Sequence, residues 1–147
     1  MADFYGTNMT SILSSPPSDG TKLDASQVNP KVRVFIETVT LTSAINSDGT
    51  SAQIYIARLP TNSRFLKVEV NSSVSLTTST LEVTDGTTSV AAAKAYGTTA
   101  DETVVYADAV DSGDEFTAQT DLYLAVGTAA LPASGELKVA TYFVDLN

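Results

Sequence analysis

The sequence predicts an all-β domain, a two-sheet antiparallel sandwich of jelly-roll type with about eight strands and an extended N-terminal arm. Three observations carry this. Short apolar runs with period-two alternation recur at roughly 8–15-residue spacing from Lys31 onward. Turn-forming pairs such as Asp48-Gly49 and Asp85-Gly86 separate them. No long stretch shows the 3.6-residue period of an amphipathic helix. Many short strands with turns between them bury their apolar faces best as two packed sheets.

Residues 1–30 contain Pro16, Pro17, Gly20 and Pro30, with little periodicity beyond the Phe4–Tyr5 and Ile12–Leu13 pairs. The segment is expected to be an N-terminal arm, laid on a neighbour or free as a tail, ahead of a β-sandwich domain over 31–147. KVRVFIETVTLTSA opens that domain. Val32, Val34 and Ile36 share one face, and the apolar phase then shifts to Val39 and Leu41. The shift predicts a bulge or bend near Glu37–Thr38. NSDGT then reads as a tight turn at Asp48-Gly49. In SAQIYIARLP, Ile54 and Ile56 point one way and Pro60 ends the strand.

RFLKVEVNSSVSL has the clearest alternation. Leu66, Val68, Val70, Val74 and Leu76 take one face, and Lys67, Glu69, Asn71, Ser73 and Ser75 the other. A half-buried antiparallel strand has this pattern, and Lys67 and Glu69 are placed to pair weakly on its solvent side. TLEVTDG leads to the second turn. The Ala-rich stretch Val90–Ala95 predicts a short helical or irregular crossover, since alanine is the best helix former. A small-residue strand packed closely on the opposite sheet is the alternative. ETVVYADAV returns to the β pattern and VDSGDE is a turn. FTAQTDLYLAVG turns Leu122, Leu124 and Val126 inward, and LPASG reads as a hairpin-type connection to the final strand, GELKVATYFVDLN. No internal repeat points to a solenoid or propeller.

The 147 residues suit one core, and a hydrophobic share of 43% is too high for a disordered chain. Only 17% of residues are charged, and Ser and Thr take up the difference, which suits sheet surfaces. The net charge of -9 argues against binding nucleic acid by phosphate neutralisation. The charge is uneven. Residues 1–73 hold six bases and six acids, so the remainder carries the whole excess, with only Lys94 and Lys138 as bases. Such asymmetry orients a protein against a partner. The opening residues lack the basic and apolar regions of a secretory signal, and no run approaches the ~18 apolar residues of a membrane span. The expectation is a chain made in a cytoplasm, neither secreted nor membrane-bound.

Histidine and cysteine are both absent. Their absence removes His-based acid–base catalysis, Ser-His-Asp and Cys-His nucleophiles, the usual zinc sites and any disulfide framework. Asp101, Glu102, Asp114 and Glu115 are the carboxylates available for a glycosidase-like pair. They stand in polar, turn-like text where solvated loops are the simpler reading. Asp108, Asp111, Asp114 and Glu115 offer oxygen ligands for calcium but lack the EF-hand spacing, so a solubilising acidic loop over 108–115 is expected. Asn8 and Asn71 begin glycosylation triplets that have no meaning without a secretory route. Tyr55, Tyr96, Tyr106, Tyr123 and Tyr142 lie in or beside strands, where cross-strand packing accounts for them. No catalytic, metal or cofactor site is expected, and the chain is expected not to be an enzyme.

The segment order carries a resemblance. ARLPTNSRFLKVEVNSSVSL, with its L-P-x-x-x-R-F-L corner, and the closing D-L-Y-L-A-V-G … G-E-L-K-V follow an arm, a charged-apolar opening strand and an Ala-rich middle. Over residues 31–147 this resembles the virion structural proteins of tailed bacteriophages, in particular the jelly-roll capsid cementing or decoration proteins. The resemblance implies a non-enzymatic protein on the capsid exterior, bridging major capsid protein subunits and self-associating as a dimer or trimer. It implies no cofactor. The neutral first half is then expected to dock while the acidic loops of the second half face solvent. A head fibre, tail or adaptor subunit, or a lectin-like or adhesin module, is the alternative.

Overall fold

The structure, a computed structural model, describes residues 31–97, 99–107 and 115–147. The expected arm over 1–30 and most of the acidic loop, including Asp108, Asp111 and Asp114, lie outside the described residues. Among the described residues nine strands form two antiparallel sheets: β1 (Lys31–Thr40), β2 (Gln53–Leu59), β3 (Ser63–Ser72), β4 (Thr80–Thr84), β5 (Ser89–Ala95), β6 (Thr103–Ala107), β7 (Glu115–Phe116), β8 (Thr120–Gly127) and β9 (Glu136–Asp145). The first sheet runs β1-β9-β3-β6, with the two-residue β7 also pairing with β3. The second runs β2-β8-β4-β5. From β1 to β4 each strand lies in the opposite sheet from the one before, and β8 and β9 are again divided between the sheets. Wound this way, the chain makes a jelly roll, as the alternation anticipated.

The core lies between the sheets. Ile54, Ile56 and Leu59 of β2, Leu81 and Val83 of β4, and Leu122, Leu124 and Val126 of β8 meet Phe65, Val68 and Val70 of β3 and Leu137, Val139 and Phe143 of β9. Their inward positions come from the period-two pleat. The L-P-x-x-x-R-F-L corner carries β2 across to β3. Leu59 is fully buried, Asn62 takes a left-handed φ of 54°, and Ser63 Oγ donates to Pro60 O at 2.7 Å.

Five expectations are corrected. β1 pairs with β9 in unbroken register from Lys31 to Thr40, so no bulge falls at Glu37–Thr38. The phase shift has another cause: both faces of β1 are apolar. Phe35 and Val39 face inward with Thr141 and Leu137, while Val32, Val34 and Ile36 stand on the outer face. Bulges occur instead at Tyr55/Ala57, at Phe65/Lys67 and twice in the β4–β5 pairing. The one at Phe65/Lys67 moves Leu66 off the expected inward row to 38% exposure and turns Phe65 inward.

The Ala-rich stretch is strand β5, paired with β4, and not a crossover helix. A seven-residue segment gains little from starting a helix, because nucleation is costly, whereas the ladder offers ready backbone partners. The turn expected at Asp48-Gly49 is a short helix, α1 (Ser43–Asp48), followed by a 3₁₀ turn over Gly49–Ser51. Thr42 caps it by accepting from Ile45 N at 3.4 Å, and Gly49 ends it at φ +60°. A tight hairpin is impossible there because β1 and β2 belong to different sheets. LPASG, for the same reason, crosses from β8 to β9 and makes no hairpin.

That crossing depends on Gly135, which adopts φ +116° and whose carbonyl accepts from Leu41 N at 2.8 Å. A Cβ there would lie 2.6 Å from Val74 Cγ2. Gly135→Ala therefore combines backbone strain with overpacking and is expected to cost about 1–3 kcal/mol, read as a lower midpoint of urea unfolding.

The Asp85-Gly86 turn forms as expected and joins β4 to β5. Asp85 Oδ1 accepts from Thr88 N at 2.6 Å and from Thr87 N and Oγ1 at 2.9 and 3.0 Å, and Gly86 sits at φ +97°. The Thr88 amide, then the Thr87 amide, holds the carboxyl below its usual range. A folded-state value below the unfolded one stabilises fully above about pH 4, and the contribution fades as pH falls through the lowered value. Asp85→Ala is thus expected to destabilise at neutral pH and to approach the parent at strongly acid pH. Urea titrations of both proteins between about pH 2 and 7 check this.

Candidate assembly surface

Seven large apolar or aromatic side chains are exposed among the described residues: Val32, Val34, Phe35, Ile36, Leu66, Val105 and Tyr55. Six belong to the β1-β9-β3-β6 sheet and only Tyr55 to the other, so the first sheet is the place to look for contacts.

Cross-strand register orders its outer face in rows. Ile36, Ala140, Glu69 and Val105 lie side by side across β1, β9, β3 and β6. The next row holds Val34, Tyr142, Lys67 and Ala107. Beyond it come Val32, Val144 and Arg64, and on the other side Thr38, Lys138, Asn71 and Thr103. The face is apolar at both margins and polar through the middle.

The polar middle is internally satisfied. Lys67 Nζ donates to Glu69 Oε1 at 2.6 Å and sits 4.6 Å from the Tyr142 ring centroid. Tyr142 OH donates to Glu69 Oε2 at 3.1 Å. The Lys67 hydrogen bond holds Glu69 below, and Glu69 holds Lys67 above, the ordinary value. The predicted Lys67–Glu69 pair therefore exists, with a third member that strand text alone did not reveal. Exposed as it is, the cluster adds little stability. It matters because a partner covering this face would meet charges that already neutralise one another, which limits the desolvation cost. The face carries three bases (Arg64, Lys67, Lys138) and three acids (Glu69, Glu115, Glu136), a balance in a chain of net charge -9. A shallow concavity of about 170 Å³, lined by Ile36, Glu69, Asn71, Thr103, Lys138 and Ala140, breaks its surface.

An open groove of about 500 Å³ lies along the β1 margin, lined by Arg33, Phe35, Arg58, Pro60, Phe143 and Asp145. Its two cations are already engaged. Arg33 Nε donates to Asp145 at 2.9 Å, and Arg58 donates to both oxygens of Asp121 at 2.6 and 2.9 Å. The Arg58 pair raises the arginine and lowers Asp121 from their usual values. Neither arginine is left free to hold an anionic ligand.

The other sequence candidates separate. Asp101 and Glu102 lie in the β5–β6 connection, Asp101 at φ 62° with its amide donating to Ser72 O at 2.7 Å. Glu102 O accepts from Tyr96 OH, which in turn accepts from Ser72 N at 2.8 Å. Both residues serve that buried clamp through their backbones, and burial pushes the Tyr96 phenol up. Glu115 is exposed on β7 opposite Arg64. Among the described residues no three carboxylates converge as a metal site. Asn71 is a strand residue of the outer face, bonded to Thr103 Oγ1 at 3.3 Å. The tyrosines pack across strands as expected: Tyr55 faces Tyr123 edge-on at 5.8 Å, and Tyr106 is buried with its hydroxyl on Lys94 O. No described helix is long and apolar enough to cross a membrane.

No family model matches the chain, and no curated protein matches it in sequence. Its fold does have counterparts. A chain of the acidic stable capsid structure of Helicobacter pylori bacteriophage KHP30 is similar at TM-score 0.54 and 10% identity, over 79% of this chain and 89% of that one. A chain of the cyanophage Pam1 capsid asymmetric unit matches at 0.51 and 21%, over 78% and 85%. A chain of the Ralstonia phage GP4 capsid matches at 0.52 and 16%, over 80% and 84%. At these identities the likeness is one of fold: the jelly roll of this chain is one that phage capsids contain.

Proposed function

We propose that this chain is a non-enzymatic virion structural protein that binds the outer surface of a phage capsid and cements the head. The observation that carries the reading is the outer face of the β1-β9-β3-β6 sheet. It has exposed apolar margins, a self-neutralised polar centre and balanced charge, on a fold shared with chains of three phage capsids. A surface that buries apolar area around an already paired Lys67–Glu69 centre suits lasting contact with another protein. The partner is the major capsid protein, with self-association as a dimer or trimer, and residues 1–30 act as an arm extending from the 31–147 domain. The charge division of the sequence is refined in this reading. β1 and β3 of the neutral half and β9 and β6 of the acidic half build the docking face together, because sheet order mixes them.

Purified protein is expected to co-sediment with cognate shells and to be present in hundreds of copies per virion by quantitative mass spectrometry. No binding to shells would remove the cement role. A copy number near a dozen would assign the chain to a vertex or tail part instead.

A further inference from the structure

We propose that two copies of this chain join edge to edge through antiparallel pairing of their β1 strands, with Phe35 on the twofold axis. This deepens the self-association part of the proposed function and names the surface that performs it.

β1 is the terminal strand of its sheet, and among the described residues nothing pairs with its second edge. It is ten residues long, without proline or bulge, and Val32, Val34, Phe35 and Ile36 are 60%, 42%, 40% and 77% exposed. Natural edge strands are usually blunted by short length, proline, bulges or charge against such pairing. This one is not.

The strand is also complementary to itself. A twofold axis perpendicular to the sheet pairs residues of the same face. Centred on Phe35, it sets Arg33 opposite Glu37 of the second copy, twice. Val34 then faces Ile36, Val32 faces Thr38 and Lys31 faces Val39. Nine of the ten residues of β1 are aligned. Centring on Val34 sets Lys31 against Glu37 but aligns only residues 31–37, and centring on Ile36 sets Glu37 against Phe35, so only the Phe35 register both aligns nine residues and pairs Glu37 with a base. A ladder of this length forms on the order of ten hydrogen bonds, as many as a typical protein interface carries. Although the chain carries -9 overall, the paired segment itself holds Lys31 and Arg33 against Glu37, so the ladder meets no local repulsion.

Sedimentation velocity of the full chain, free of any shell, tests the pairing. A concentration-dependent monomer–dimer equilibrium is expected. Glu37→Arg places two arginines opposite two arginines and is expected to weaken the dimer about tenfold or more. Arg33→Glu combined with Glu37→Arg restores opposite charges and is expected to recover most of that loss. Arg33 also bonds Asp145, so Ile36→Lys, at the most exposed of the strand's large apolar positions, provides a second variant and is likewise expected to weaken the dimer. A monomer at every concentration, a trimer, or a dimer unmoved by Glu37→Arg and Ile36→Lys would overturn the proposal. Because no shell is present, these outcomes are separate from any failure of capsid docking.

Discussion

Phe143→Ala is expected to remove about 3–5 kcal/mol of stability, the range for deleting a buried aromatic ring from a packed core. Phe143 is 1% exposed on β9, the strand that pairs with both β1 and β3. It faces Phe65 across β3 and stacks on Phe35 with ring centroids 5.2 Å apart and planes 17° from parallel. Removing the ring leaves a cavity bordered by two strands and forfeits an aromatic contact worth about 0.5–1.5 kcal/mol beyond area burial. A domain of this size holds only about 5–15 kcal/mol in total, so the variant loses much of its reserve. Phe35→Ala removes the same stack from the half-exposed side and is expected to cost clearly less. Urea unfolding of both variants beside the parent checks the order. Equal losses would mean that β1, not the intersheet core, supports Phe143.

Leu66→Glu combined with Val105→Glu is expected to reduce shell binding by about thirty-fold or more, the scale of losing a central contact at an interface. Both side chains are more than a third exposed on the first sheet. Each substitution should therefore change folding stability by about 0.5 kcal/mol or less. The charge enters only when a partner covers the face, where an unpaired carboxylate is costly. Neither residue lies on β1, so self-association of the free chain is expected to persist. Co-sedimentation with shells and sedimentation velocity of the free variant separate the two effects. Undiminished shell binding would move docking to another surface, of which the Tyr55–Tyr123 side of the second sheet is next in exposed aromatic area.

Much of the fold was legible because burial in a sandwich writes directly into alternation. Ile54, Ile56, Val68, Val70, Leu122, Leu124 and Val126 all point inward as their spacing requires. The errors share a cause, since each needed knowledge of a partner strand. Val90–Ala95 has helical composition but becomes β5 because β4 offers it a ladder. Asp48-Gly49 and LPASG look like hairpin turns, but the strands they join lie in different sheets. Leu66 sits on an apolar row until a bulge displaces it. In β1, apolar residues on both faces imitate a change of phase.

By itself the sequence determined the all-β class, the inward rows and the turn at Asp85-Gly86, and it left few of the usual catalytic groups. These are properties of local spacing and residue type, which each strand carries alone. Only the tertiary structure decided that β1, β9, β3 and β6 share a sheet, and so that Val32, Val34, Ile36, Leu66 and Val105 collect around the Lys67–Glu69–Tyr142 cluster. It also decided that, among the described residues, β1 is the terminal strand of that sheet. The residues so collected are distant along the chain. Their meeting depends on strand order and register, which long-range pairing sets and no local pattern records.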